Sequence, residues 1–277
     1  MAASHIEVIV RQGADDAQRP PLLFVHGAGH GAWAWDEHFL GFFAAHGFDA
    51  YALSLRGHGE SAGREQLSKA SIADYASDVH DVAAGLPDVP VVVGHSLGAR
   101  VVMKYLETHA APAAAPGAPL PRFGLLLSAA RAARDHPGLA IRALLAGKPG
   151  RLLGARRLAR QLNFSPELDE ELVIEYASRQ GPESTRAMAQ LTYVRPDRAR
   201  IRARGVPLLV IGASGDYFVR PAAIRRVAAS YGAEVKIVPG VAHCMILDAR
   251  WRDVAGALLE WLEQVPALSR DGDGHSA

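Results

Sequence analysis

A single cysteine, Cys244, stands in a chain of 277 residues. That scarcity excludes an internal disulfide framework, and one thiol cannot by itself supply a zinc site. Lysine is nearly absent: Lys69, Lys104, Lys148 and Lys236 are all there are among 30 basic residues. The arginine usage, like the alanine-rich runs, reads as compositional bias, so no single arginine carries an argument. No apolar stretch approaches the about 18–20 residues that a membrane span needs, and stable membrane insertion is not expected. The opening Met-Ala-Ala-Ser-His-Ile-Glu has neither a basic n-region nor an apolar h-region, so no export signal is expected and a cytoplasmic location is the default. The net charge is +1 and no basic tract interleaves with aromatics, which gives no reason to expect a nucleic-acid partner. No internal repeat is visible.

What remains is an ordinary globular composition, 49% hydrophobic and 21% charged, in a chain long enough for one large α/β domain with an insertion. Short β-rich runs alternate with longer helical patterns, the signature of a mostly parallel sheet flanked by helices. Strands are predicted at Ile6–Val10, Leu22–Val25, Asp49–Ser54, Val91–Val93, Phe123–Leu127, Pro207–Ile211 and Val235–Val238. Helices are predicted at Trp35–His46, Ile72–Gly85, Ala99–Thr108, Pro221–Tyr231 and Trp251–Gln264. Ser71 with Asp74 three residues on resembles a capping box, and Pro221 suits a first helical turn.

The run 110–122 is punctuated by prolines and predicts a mobile surface loop. Between Leu127 and Pro207 the pattern is helical, with apolar runs at Leu139–Leu145 and Leu168–Tyr176 broken at 147–150 and at Gly181-Pro182. That interval is too long for an ordinary connection and predicts a helical cap over the carboxyl edge of the sheet. The expected organisation is a core at 1–128 and 205–268, a cap at 129–204 and a disordered tail at 269–277. The cap carries 15 basic against 8 acidic residues between Ala129 and Arg204, read as a solvated face shaped by composition.

Residues 94–98 read Gly-His-Ser-Leu-Gly, directly after the apolar run 90–93 and ahead of a helical stretch. A serine in G-x-S-x-G between strand and helix is a nucleophile elbow. The turn at Ser96 is so sharp that side chains two positions to either side would collide, hence Gly94 and Gly98. A serine hydroxyl is a weak nucleophile at neutral pH, and it needs a base that is itself oriented by a third group. Asp216 follows the strand ending at Ile211, and His243 follows the strand ending at Val238. Both therefore emerge at carboxyl ends of strands, where open α/β sheets build their sites. Asp135 and Asp248 are less favoured acids: the first lies well beyond its strand, the second just before the last helix.

The intermediate such a serine forms carries an oxyanion, and fixed N–H donors there are worth about 3–4 kcal/mol each. One donor is expected from Leu97. The other is assigned to Ala28, in the loop His26-Gly27-Ala28-Gly29-His30-Gly31, whose small residues leave the backbone bare. Gly27, His30, Trp33 and His95 are the expected substrate-binding residues, and His26 is expected to brace the loop. Trp35, Phe39 and Met188 fit either an apolar acyl pocket or plain core.

These pieces together resemble a serine hydrolase of the α/β-hydrolase superfamily. The likeness runs through Val25-His26-Gly27, Leu53 to Ser61, Gly94–Gly98, Asp216 and His243. The opening loop through Trp33 is similar to the plant methylesterase and hydroxynitrile lyase group, and Leu55–Ser61 to bacterial esterases and lipases. The family usually carries an acid where Ser54 stands. Lyases of this type place a lysine after the histidine, where this chain has Cys244, and the dehalogenases and epoxide hydrolases use an aspartate in place of Ser96. The resemblance implies a carboxylic ester hydrolase acting on a small-molecule ester, without metal or cofactor. Carbon–carbon bond hydrolysis, perhydrolysis, or ligand reception without catalysis on the same fold stay open as alternatives. The oligomeric state is not fixed by the sequence.

Overall fold

Strand alternation sets the architecture. In Leu22–Val25 every side chain is buried, yet Leu22 and Phe24 join one apolar cluster while Leu23 and Val25 join another. Val91 and Val93 divide from Val92 in the same way. A period of two with both faces apolar means a sheet covered on both sides. The computed structural model describes residues 5–13, 19–121, 124–138 and 156–268, and within them it places such a sheet.

Seven strands are present among the described residues: β1 Val8–Arg11, β2 Leu22–Val25, β3 Ala50–Leu53, β4 Val91–His95, β5 Ala114–Gly117, β6 Leu209–Ala213 and β7 Glu234–Val238. Their order is β1-β3-β2-β4-β5-β6-β7, with β1 antiparallel to β3 and the rest parallel. On one face lie α1 Trp33–Asp36, α2 Phe39–Ala45 and the last helix, α11 Trp251–Gln264; on the other lie α3 Ile72–Ala84, α4 Leu97–Tyr105 and α10 Pro221–Tyr231. Trp35 and Phe39 are buried in the first cluster beside Phe24, with ring centroids of Phe24 and Trp35 4.8 Å apart. They are core. The single helix expected at Trp35–His46 is broken between α1 and α2, where His38 leaves helical angles at φ −140°.

Between β5 and β6 the described residues form α5 Gly124–Asp135, α6 Arg156–Asn163, α7 Glu170–Arg179, α8 Thr185–Tyr193 and α9 Arg198–Ala203. Phe164, Leu168, Val173 and Tyr176 pack into the first cluster, and Ala187, Leu191 and Ile201 into the second. The segment thus grips both sides of the sheet. The expectations at Leu139–Leu145, at 147–150 and at the tail 269–277 lie outside the described residues.

Two expectations here are corrected. The fifth strand is not Phe123–Leu127 but Ala114–Gly117, inside the stretch read as a mobile loop; all four of its residues are buried. Gly124–Asp135 is helical, with Leu126 and Leu127 exposed at 56% and 61%. Proline and alanine misled because prolines are confined to places where a ladder donor is not needed. Ala114 and Ala118 donate to Pro207 and Ile211 on the β6 side, so the donor missing at Pro116 falls on that side. There, among the described residues, β5 is in ladder register with β6 only at Gly117–Ile211 and at the Ala114–Leu208 bridge. Toward β4 the ladder is continuous from Val92–Ala114 to His95–Gly117.

The start of α3 is fixed as expected: Ser71 Oγ accepts from Asp74 N–H at 3.1 Å while the Asp74 carboxylate accepts from Ser71 N–H at 2.8 Å. Ser71→Ala removes half of this reciprocal cap and is expected to cost about 1 kcal/mol. In urea unfolding that reads as a lower midpoint with an unchanged slope.

Candidate active site

At the end of β4 the chain reverses through Ser96, which sits at φ 53°, ψ −109°. A non-glycine residue in the left-handed half of backbone space costs about 1–3 kcal/mol and persists only when its surroundings over-determine it. They do so here. A Cβ on Gly94 would lie 2.4 Å from the Gly98 carbonyl oxygen, and one on Gly98 would lie 2.3 Å from that of Val25. Ser96 N–H donates to the Gly117 carbonyl at 2.9 Å, so β5 holds the turn from beside it. Ser96 is 8% exposed.

Two further strand ends deliver Asp216 and His243. His243 Nδ1 lies 2.8 Å from Asp216 Oδ2, and its Nε2 lies 3.0 Å from Ser96 Oγ. A carboxylate only accepts, so Nδ1 carries the proton and Nε2 is left to accept from the Ser96 hydroxyl. The second oxygen of Asp216, Oδ1, accepts from the N–H groups of Phe218 and Val219 at 2.7 and 2.9 Å. These two bonds fix the carboxylate plane. Asp135, by contrast, sits on α5 and pairs with Arg134 and Tyr217. Asp248 is fully buried and receives Ser165 N–H, Ser165 O–H and Ala242 N–H at 2.8, 2.6 and 3.3 Å.

The loop after β2 runs against the elbow because Val25 pairs with Gly94 in register. A Cβ on Gly27 would meet His95 Nδ1 at 2.9 Å and Ser96 Cβ at 3.4 Å, so bare backbone passes beside the serine. Among the described residues, neither Ala28 N–H nor Leu97 N–H donates a hydrogen bond. His30 is held by the Ala28 carbonyl at 2.9 Å and by Gln180 at 3.2 Å, with Cys244 Sγ 3.8 Å away. Trp33 lies under the Arg179 guanidinium, 4.0 Å from its ring centre. His95 is buried with Nε2 on the His243 carbonyl at 2.8 Å, a contact that braces the histidine loop from below.

His26 braces its loop as the sequence suggested. Leu55 N–H donates to its Nε2 at 3.0 Å, so the proton is on Nδ1, which donates to the Gly27 carbonyl at 2.8 Å. An imidazole that must accept at one nitrogen is neutral. Burial, aided by the charge of nearby His58, pushes His26 down to about 3. Burial likewise takes His30 down to about 4, against the raising effect of the Ala28 carbonyl. His95 is held well below the ordinary histidine range, again by burial and then by His243.

Sequence spacing missed three carboxylates. Glu183 follows the Gly181-Pro182 break and reaches back into the core: it accepts from Gly29 N–H at 3.1 Å, Tyr75 O–H at 2.7 Å and Ser184 N–H at 2.6 Å, with His58 Nε2 3.2 Å away. Burial opposes its charge, yet the His58, Tyr75 and Ser184 contacts outweigh it and keep the carboxyl below its usual range. Gly181 N–H also donates to the Gly29 carbonyl at 2.8 Å. Asp248, set aside as an acid, instead ties Ser165 to the histidine loop, where Cys244 N–H also donates to Asn163 at 2.8 Å. Glu7 brings a carboxylate against position 54, accepting from Ser54 O–H at 2.5 Å while Ser54 Oγ accepts from Ala32 N–H at 2.8 Å. No local motif announces any of the three, since each also binds a partner dozens of residues away: Glu183 binds Gly29 and Tyr75, Asp248 binds Ser165, and Glu7 binds Ser54.

A parallel sheet with one antiparallel edge, helices on both faces, and a strained serine between β4 and α4 define an α/β-hydrolase fold. Residues 22–257 match the model of the alpha/beta hydrolase family, and the chain belongs to that family. Among curated relatives, a monoacylglycerol lipase of Mycolicibacterium smegmatis is 26% identical over 264 residues, covering 90% of this chain and 89% of the lipase. Protein phosphatase methylesterase 1 of Bos taurus is 31% identical over 99 residues, which is 35% of this chain but only 26% of the methylesterase. A thermophilic esterase of Thermogutta terrifontis, in a malate-bound structure, superposes with a TM-score of 0.71 at 19% identity, covering 95% of this chain and 94% of that one. No helix among the described residues is long and apolar enough to cross a membrane.

The buried neutral rings make stability depend on pH. Both His26 and His30 have folded values below the unfolded 6.5, so below that pH the unfolded chain takes up protons that the native chain refuses. Stability therefore falls as pH drops from about 6.5 toward about 5, by about 1.4 kcal/mol per pH unit for each ring. Urea unfolding across that range should show this slope, and His26→Gln should flatten it. A wild-type profile independent of pH there would contradict the neutral rings.

Proposed function

We propose that this chain is a carboxylic ester hydrolase working through Ser96, His243 and Asp216 with an acyl-enzyme intermediate. The observation that carries the reading is the continuous line from Asp216 Oδ2 through His243 to Ser96 Oγ, at 2.8 and 3.0 Å. Both contacts fall within the reach that a nucleophile and its oriented base require. The lipase and esterase likenesses support the same bond type.

In this reading His243 Nε2 takes the Ser96 proton as Oγ attacks the ester carbonyl carbon. Asp216 holds the imidazole in the tautomer that can accept, and steadies the imidazolium that results. The oxyanion forms between the free N–H groups of Ala28 and Leu97, which cost no reorganisation because β2 and α4 already fix them. The imidazolium then protonates the departing alcohol oxygen. Water enters, His243 takes its proton, and the acyl group leaves as the acid while the proton returns to Ser96. The helical segment between β5 and β6 is the cap of this site. Gly27 gives the substrate room beside Ser96; His30, Trp33 and His95 set the shape of the loop around it.

A fluorophosphonate probe should label the wild type and not Ser96→Ala. Asp216→Asn preserves the size of the side chain but favours the wrong tautomer, so kcat on p-nitrophenyl esters should fall by about 10,000-fold with the fold intact by circular dichroism. Wild-type protein that neither labels nor turns over any ester in a panel of p-nitrophenyl esters, lactones and thioesters would show the reading to be wrong.

A further inference from the structure

Away from Ser96, on the flank where α8 and the turn before α9 meet α4 and α10, lies a cavity of about 320 Å³. Its walls are apolar, built from Met103, Leu120, Leu191 and Val227 among others. Four arginines reach the same space: Arg100, Arg195, Arg198 and Arg226. Among the described residues no carboxylate lines it. Among the described residues none of the four forms an ion pair; Arg198 instead lies over the Tyr231 ring at 5.7 Å.

Arg100 is the unusual member. It is 8% exposed, and among the described residues its guanidinium donates only to backbone carbonyls, Val194 at 3.1 Å and Leu120 at 2.6 Å. A buried cation without a counter-ion is costly, because carbonyl dipoles replace lost hydration only in part. Burial, with the charge of Arg195, moves this group below the usual arginine range despite the opposing influence of Tyr231. The acids nearest along the chain are already committed. Glu107 pairs with Lys104 and accepts from Asp197 N–H, and Asp197 faces Arg200.

We propose that this cavity is a second binding site, separate from Ser96, for a medium-length amphiphile with a carboxylate head. The apolar walls take the chain, and the arginines take the head through paired N–H···O bonds, which suit the planar carboxylate. A space of about 320 Å³ suits an acyl chain of medium length, for which decanoate is the probe. The site stands whether or not Ser96 hydrolyses esters, because it draws on none of the same side chains.

Calorimetric titration with decanoate, decanol and decyltrimethylammonium tests it. Decanoate should bind at least about tenfold more tightly than either of the others, the factor that one added charge-assisted pair supplies. Arg195→Gln/Arg226→Gln changes only exposed rim positions and should weaken decanoate about tenfold or more while leaving the urea midpoint unchanged. Arg64→Gln, at a different surface pocket, should leave it unaltered. Equal binding of all three amphiphiles would reduce the cavity to a plain apolar groove. Absence of decanoate binding, or binding indifferent to the double substitution, would overturn the proposal.

Discussion

The approach of α4 to the end of β2 governs the rest of this molecule. At Gly98 the helix passes so near the Val25 and His26 carbonyls that a methyl group would sit 2.3 and 2.5 Å from them. That proximity goes with the positive φ of Ser96, 53°, and sets the start of α4 against the end of β2. Because Val25 and Gly94 are register partners, the strained serine and the glycine-rich loop are neighbours by construction of the sheet. Van der Waals exclusion at one backbone crossing thus produces the juxtaposition on which the proposed chemistry rests.

Around that crossing the protein keeps its buried histidine rings neutral. His26, His30 and His95 each spend ring nitrogens on backbone partners, with burial favouring the uncharged ring. A low-dielectric shell of this kind strengthens the few charges left in it, notably Asp216 beside His243. The helical segment between β5 and β6 contributes directly. Glu183 and Gly181 hold the loop at Gly29, and Ser165 with Asn163 holds the loop that bears His243. One inserted segment therefore fixes both loops that flank Ser96, which couples its placement to the geometry of the site.

The site was more legible in the sequence than the sheet. Gly94, Ser96 and Gly98 carry their own spacing; Asp216 follows a continuous apolar run that is covered on both faces, and His243 follows a short β-rich run at the sheet edge whose first two residues are exposed. The capping box at Ser71 and the turn at Pro221 were equally local. The fifth strand was not. Ala114–Gly117 has the small side chains and proline of a linker, and it becomes a strand only because β4 offers a ladder on one side and β6 demands little on the other. The run at 125–127 failed in the opposite sense: its leucines promise a strand, yet two of them point to solvent from a helix.

The amino-acid order alone determined at which strand ends Ser96, Asp216 and His243 emerge, since a strained turn needs glycines at fixed offsets and strands announce themselves by β-rich runs. The tertiary structure alone decided the partnerships: Asp216 and not Asp135 or Asp248 behind His243, Glu183 on Gly29, Glu7 on Ser54. These are contacts between segments far apart in the chain. Hydrogen bonds of that kind depend on distance in space, which no local spacing encodes.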